Sequence, residues 1–186
     1  MKKIITLLGV MAVAIVANAA TVSWSLYPAY DMGATTENTG YLVYFFDADA
    51  YSSATALAAI AAGDMSFTSN GWVADALVDG GFTSGEATGD WANGSTVTGY
   101  LVVFDADTVP NASHAYVSST ASGNIGAQGQ AAGIDFDDTQ LAGMQSAGNW
   151  ASIGGGPLPP EPTPEPTSGL LLLLGMAGLA LKRKVA

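Results

Sequence analysis

The residues equipped for chemistry are few. Cysteine is absent from all 186 residues, which removes thiolate nucleophiles, disulfides and thiolate metal sites. His114 is the only histidine, so any serine–histidine–aspartate triad has to pass through it. No serine stands in a Gly-x-Ser-x-Gly turn. Asn111-Ala112-Ser113-His114 reads as a loop entering a strand, which puts His114 at the surface. Zinc needs several nitrogen, sulfur or carboxylate donors together, and one histidine without cysteine is a poor start. No catalytic residue, no cofactor and no metal centre is expected.

Carboxylates are more plentiful. Asp47/Asp49, Asp105/Asp107 and Asp135/Asp137/Asp138 cluster hard oxygens, and Asp47, Asp49, Asp105 and Asp107 are weak candidates for calcium. The helix–loop–helix calcium pattern fails, because Tyr51 and Val109 stand where that loop needs an oxygen ligand. Paired acids also serve glycosidases, but nothing in the sequence sets a working separation. Gly123-x-x-Gly126-x-x-Gly129 lacks the Gly-x-Gly turn of a nucleotide-binding loop. Asn93-Gly94-Ser95 and Asn111-Ala112-Ser113 are glycosylation-like triplets of a kind common by chance. Trp91, Trp150 and Tyr30 have rings suited to stacking on sugars, and core packing accounts for them equally well.

The acids sit on a duplicated phrase. Thr39-Gly40-Tyr41-Leu42-Val43-Tyr44-Phe45-Phe46-Asp47-Ala48-Asp49 recurs as Thr98-Gly99-Tyr100-Leu101-Val102-Val103-Phe104-Asp105-Ala106-Asp107, one residue shorter. Each copy is β-branched and aromatic and ends at Asp-x-Asp, so each reads as a strand. Both faces are apolar, which suits the centre of a covered sheet. Because side chains alternate faces, the extra residue should flip the Asp pair to the other face unless a bulge or the strand end absorbs it.

The other elements are weaker. Residues 21–27 alternate Val22, Trp24 and Leu26 against Thr21, Ser23 and Ser25, a half-buried strand. Residues 115–119 form a fair strand and 64–68 a poor one. Residues 53–62 read as a helix capped by Ser53 and stopped by Gly63. Trp72, Val73, Ala76 and Leu77 sit at near-helical spacing. Residues 137–147 suit a short helix with Asp137 and Gln140 as a capping box. Residues 83–95 and 120–134 are rich in Gly, Ser, Asn and Thr and read as loops. The sum is a mainly β, sandwich-like single domain with a few short helices.

Charge separates this body from its ends. Lys2, Lys3, Lys182, Arg183 and Lys184 are the only basic residues, so residues 4–181 contain none. Of the 16 acids, all but Glu161 and Glu165 fall in residues 20–156. A body without lysine or arginine has no groove for phosphates, so no nucleic acid is expected as a partner. It also has no lysine or arginine with which to form an internal salt bridge.

The N-terminus reads as a signal peptide over residues 1–19. Lys2 and Lys3 precede an apolar run from Ile4 to Val16, and Ala17-Asn18-Ala19 fits the small-x-small cleavage box, with Ala20 as the mature start. Residues 20–156 then form the extracellular β-rich domain. Residues 157–168 form a Pro-rich, semi-rigid linker. From Gly169 to Leu181 runs an apolar segment of 13 residues, followed by Lys182-Arg183-Lys184. As a helix it reaches about 20 Å, short of the roughly 30 Å hydrocarbon core, so it would span only with bilayer thinning. Lys182, Arg183 and Lys184 act as a membrane stop that stays cytoplasmic.

Pro164-Glu165-Pro166-Thr167, this short apolar segment and the basic end together resemble the PEP-CTERM sorting signal. Pro160-Glu161-Pro162 is an earlier copy, too far from the apolar run. The resemblance covers residues 157–186 and implies a specific itinerary. The chain would be exported through the Sec translocon of a bacterium with an outer membrane and exopolysaccharide. It would pause in the inner membrane until an exosortase, a membrane-embedded cysteine protease, processed it near Pro164–Thr167, and then reach the cell surface or matrix. For the body three roles stand open: a structural or adhesive surface protein, a carbohydrate-binding module of the exopolysaccharide, and a secreted hydrolase. The first is the expectation, because no catalytic constellation is present.

Overall fold

A computed structural model describes residues 19–155. The N-terminal segment read as a signal peptide, with Ala17, and the Pro-rich linker, Pro164–Thr167, the apolar run 169–181 and Lys182–Lys184 lie outside the described residues. Ala19 is exposed, and Ala20 is the buried first residue of a strand.

In chain order the elements are β1 (Ala20–Leu26), β2 (Leu42–Asp47), α1 (Ser53–Ala62), β3 (Trp72–Val73), β4 (Thr83–Gly89), β5 (Thr96–Phe104), β6 (His114–Val117), β7 (Ala121–Asn124), β8 (Ala132–Phe136), α2 (Asp138–Leu141) and β9 (Trp150–Ser152). They form two sheets, a three-stranded one ordered β4-β1-β8 and a six-stranded one ordered β3-β2-β5-β6-β9, with β7 also paired to β5. The body is therefore mainly β with a few short helices. Among the described residues no helix is long and apolar enough to cross a membrane.

The sheets share one apolar cluster. Val22, Trp24 and Leu26 of β1 and Ile134 and Phe136 of β8 meet Val43 and Phe45 of β2 and Leu101 and Val103 of β5. Trp24 stacks on Phe45 with ring centroids 6.0 Å apart. A second cluster lies on the other side of the larger sheet, where Phe46, Tyr100, Val102 and Phe104 pack against Ala56 and Ile60 of α1 and against Phe67. This second layer explains why both faces of the repeated phrases are apolar: each face has its own core to fill.

The repeated phrases pair with each other. β2 and β5 run antiparallel, from Leu42 opposite Phe104 to Asp47 opposite Gly99. The extra residue of the first copy shows in the packing. Leu42 and Val43 face the outer and inner clusters, whereas Leu101 and Val102 face the inner and outer ones. Phe46 and Phe104 both face outward. The expected flip of the Asp pair is therefore corrected: the change of face required by period-two alternation falls on the Leu-Val halves and leaves the Phe-Asp ends in phase.

Local chemistry accounts for the helices. α1 is capped by the Ser52 hydroxyl, which accepts the Thr55 N–H, so the cap stands one residue before the expected Ser53. It stops at Gly63, in the left-handed region at φ 73°. The capping box of Asp137 and Gln140 forms as expected at α2. The α-helix ends at Leu141, and the chain continues as short 3-10 turns.

Three expectations are corrected. Residues 83–95 and 120–134 are not loops throughout, because β4, β7 and β8 lie within them. Their small residues serve close packing: a Cβ on Gly85 would lie 2.6 Å from the Trp24 ring, and one on Gly123 2.5 Å from the Gly133 carbonyl oxygen. Residues 65–70 form a 3-10 turn, not a strand, with the Asp64 carboxylate accepting the Ser66 N–H and hydroxyl. Trp72 and Val73 are a short edge strand on β2 instead of a helical face.

Candidate functional site

Each phrase ends in an aspartate that ties down the following loop. Asp47 Oδ1 accepts the Asp49 N–H at 2.9 Å, and Asp47 Oδ2 accepts the Trp91 indole N–H at 2.6 Å. Asp105 Oδ1 accepts the N–H groups of Ser113 and His114 at 2.8 and 3.0 Å. Asp107 accepts the Asn111 amide at 3.1 Å, and Asp49 is exposed. Because β2 and β5 are antiparallel, Asp47 and Asp105 end at opposite ends of the pair. The calcium candidates therefore do not converge, and among the described residues no three histidine or acidic side chains come together to hold a metal.

His114 is not at the surface. It opens β6 and is 8% exposed. Its backbone N–H and its ring both turn toward Asp105, with Nδ1 3.0 Å from Oδ2. Across the ladder His114 faces Ser152, yet His114 Nε2 and Ser152 Oγ are both buried without a partner. An aspartate–histidine pair thus ends at an atom sealed from solvent and not bonded to the neighbouring serine.

The rings expected to meet sugars are mostly occupied. Trp150 is buried, and its N–H donates to the Met144 carbonyl at 2.9 Å. Trp91 is half-buried, bonded to Asp47 and packed on Trp72 with centroids 5.6 Å apart. Tyr30 is half-buried and donates to Asp138 at 2.7 Å. Burial pushes the Tyr100 hydroxyl well above its ordinary pKa, and it too lacks a partner.

Sequence reasoning passed over two exposed rings, Tyr27 at 53% and Phe82 at 50%. They follow β1 and precede β4, one step beyond the last paired residues, Leu26 and Thr83. Alternation puts them on the outward face of the smaller sheet, with Ser25 and Ser23. On that face Ser25 lies between Ser84 and Asp135, and Ser23 between Glu86 and Gly133. The Ser25 hydroxyl donates to Asp135 Oδ1 at 2.6 Å. These residues and Asp75 line an open groove of about 310 Å³. A second hollow of about 230 Å³, lined by Leu77, Asp79 and Phe82, shares Asp75 and Ser84 with it. The alternation of residues 21–27 carried the signal for this face, but its neighbours β4 and β8 were hidden in segments that read as loops.

Comparison with known protein families matches residues 162–184 to the PEP-CTERM protein-sorting motif. No curated protein and no solved structure matches the chain. The matched residues include Pro164, Glu165, Pro166 and Thr167 and the basic run Lys182–Lys184, and the described body lies wholly outside them. The chain carries a PEP-CTERM sorting motif at its C-terminal tail, which implies export, membrane-anchored transit and processing by an exosortase, a membrane protease-like enzyme.

Proposed function

We propose that this chain is a bacterial surface or extracellular-matrix protein, exported through Sec and delivered by its tail, whose sandwich-like body is structural or adhesive and not catalytic. The sorting motif at residues 162–184 carries the reading. The composition supports it: a body with 14 acids (16 less Glu161 and Glu165) and no lysine or arginine keeps a net charge that favours solubility outside the cell. In this reading Ala17 and Ala19 mark signal cleavage before Ala20, and Lys182–Lys184 hold the tail in the inner membrane until the exosortase acts. A carbohydrate-binding role, with exopolysaccharide as the partner, is the second reading. It draws on the exposed rings of Tyr27 and Phe82.

Replacing Pro164, Glu165 and Pro166 together by alanine in the native host tests the delivery. The variant should accumulate in the membrane fraction while the natural chain is released. Equal release of both would contradict a role for the motif.

A further inference from the structure

The outward face of β4-β1-β8 is exposed at Ser23, Glu86, Thr88, Gly133 and Asp135, and its chemistry is ordered. Tyr27 and Phe82 stand at one end, each one residue beyond the last β1–β4 pair, Leu26 and Thr83, and each about half exposed. The Tyr27 hydroxyl donates to Glu37 Oε1 at 2.9 Å, which holds that ring in place. Beyond them come two rungs of serine, glycine and acidic residues, Ser84–Ser25–Asp135 and Glu86–Ser23–Gly133. A Cβ on Gly133 would meet nothing within 4 Å, so the floor is open there. The groove is shallow and wet, a poor seat for an apolar helix and a good one for a chain of hydroxyl-bearing rings.

Charge selects among such chains. Asp75, Glu86 and Asp135 border the groove, and no lysine or arginine exists between residues 4 and 181 to neutralise them. Uronic acids or phosphates would be repelled. An ammonium-bearing sugar would find carboxylates along the walls, hydroxyls on the floor, and aromatic faces at one end for its C–H surface and its charge.

We propose that this face binds a cationic amino-sugar polymer, a glycan whose rings carry free amino groups, with Tyr27 and Phe82 as the platform and Glu86, Asp75 and Asp135 as the ammonium acceptors. The proposal rests on reading the body as an outward-facing adhesive domain and deepens it. Its test does not depend on tail processing, so the two can fail separately.

The test is titration of the full-length chain in detergent with the β-1,4-linked glucosamine hexamer. Its N-acetylated form and a polyuronate hexamer serve as comparisons. Saturable binding of the glucosamine hexamer is expected, weakened by salt, with the other two much weaker. Phe82→Ala should cost about tenfold, the scale of one lost aromatic contact. Glu86→Gln should weaken binding more than Asp49→Asn, a charge-matched change in the exposed turn after β2. Phe82 and Glu86 are exposed, so unchanged thermal unfolding of both variants should accompany the loss. No binding of the hexamer at millimolar concentration would overturn the proposal. So would equal losses in Glu86→Gln and Asp49→Asn with none in Phe82→Ala, which would mean general adsorption to an acidic body. Tighter binding of the N-acetylated form would overturn the charge assignment.

Discussion

The outward face of β2 and β5 and the outward face of β1, β4 and β8 are built from the same extended backbone, yet one is dry and the other wet. On the first, Phe46, Tyr100 and Phe104 are fully buried beneath α1 and Phe67. On the second, Ser23, Ser25, Ser84 and Glu86 meet solvent around an open groove. The difference lies in what the outward positions carry. β2 and β5 spend bulky apolar residues on both faces, and that commits the fold to a covering helix. β1 and its neighbours spend small polar residues outward and stay uncovered. The covered face belongs to stability, and the open one is free for recognition.

The contrast is broken most severely by truncating the covered face. Phe46 stacks on Phe67 and Tyr100, with centroids 5.6 and 5.4 Å away. Phe46→Ala should cost about 3–5 kcal/mol in urea unfolding, whereas Thr88→Ser on the open sheet should stay within about 0.5 kcal/mol. Comparable losses would contradict the division. Overfilling comes next. A Cβ on Gly99 would collide with the Phe45 ring and reach 3.0 Å from the Phe46 carbonyl oxygen, so Gly99→Ala should destabilise by about 1–3 kcal/mol.

A smaller change runs the other way. The Tyr100 hydroxyl is buried without a partner, and an orphaned polar group costs about 1–3 kcal/mol. Tyr100→Phe should therefore raise stability by about 1 kcal/mol; a loss would mean that the hydroxyl has a partner in solution. The smallest effect is with pH. Hydrogen bonds from the Ser66 hydroxyl and N–H hold the Asp64 carboxyl below its ordinary pKa, and the Thr139 N–H and side chain do so for Asp137. A depressed folded pKa gives stability that is present above the ordinary carboxylate value and lost as pH falls through the folded one. The urea midpoint should fall below about pH 4, with a shallower fall in Asp64→Asn and Asp137→Asn.

The sequence made some of this legible for clear reasons. β1 announced itself because alternation is visible wherever one face is wet, and β2 and β5 did because β-branched and aromatic runs have few other uses. The capping box at Asp137 was readable because it is local. β4, β7 and β8 were missed because they lie in stretches whose glycines and serines mimic loop composition; in the fold Trp24 lies against Gly85 of β4 and Ile134 of β8 against Gly123 of β7. The depth of His114 was invisible for the same reason, since Asp105 and Ser152 reach it only through pairing of β6 with its neighbours. The tail was the opposite case. Its signal is linear, a Pro-Glu-Pro, a short apolar run and a basic end in order, so it needed no fold to be read.

The most direct test of the account is intact-mass measurement of the protein from its native host, in membrane and released fractions. Trypsin is a poor tool, since residues 4–181 offer it no lysine or arginine. The account predicts a released species that begins at Ala20 and ends between Pro164 and Thr167. A species ending at Ala186 and confined to the membrane would make the tail a plain anchor and contradict sorting to the surface.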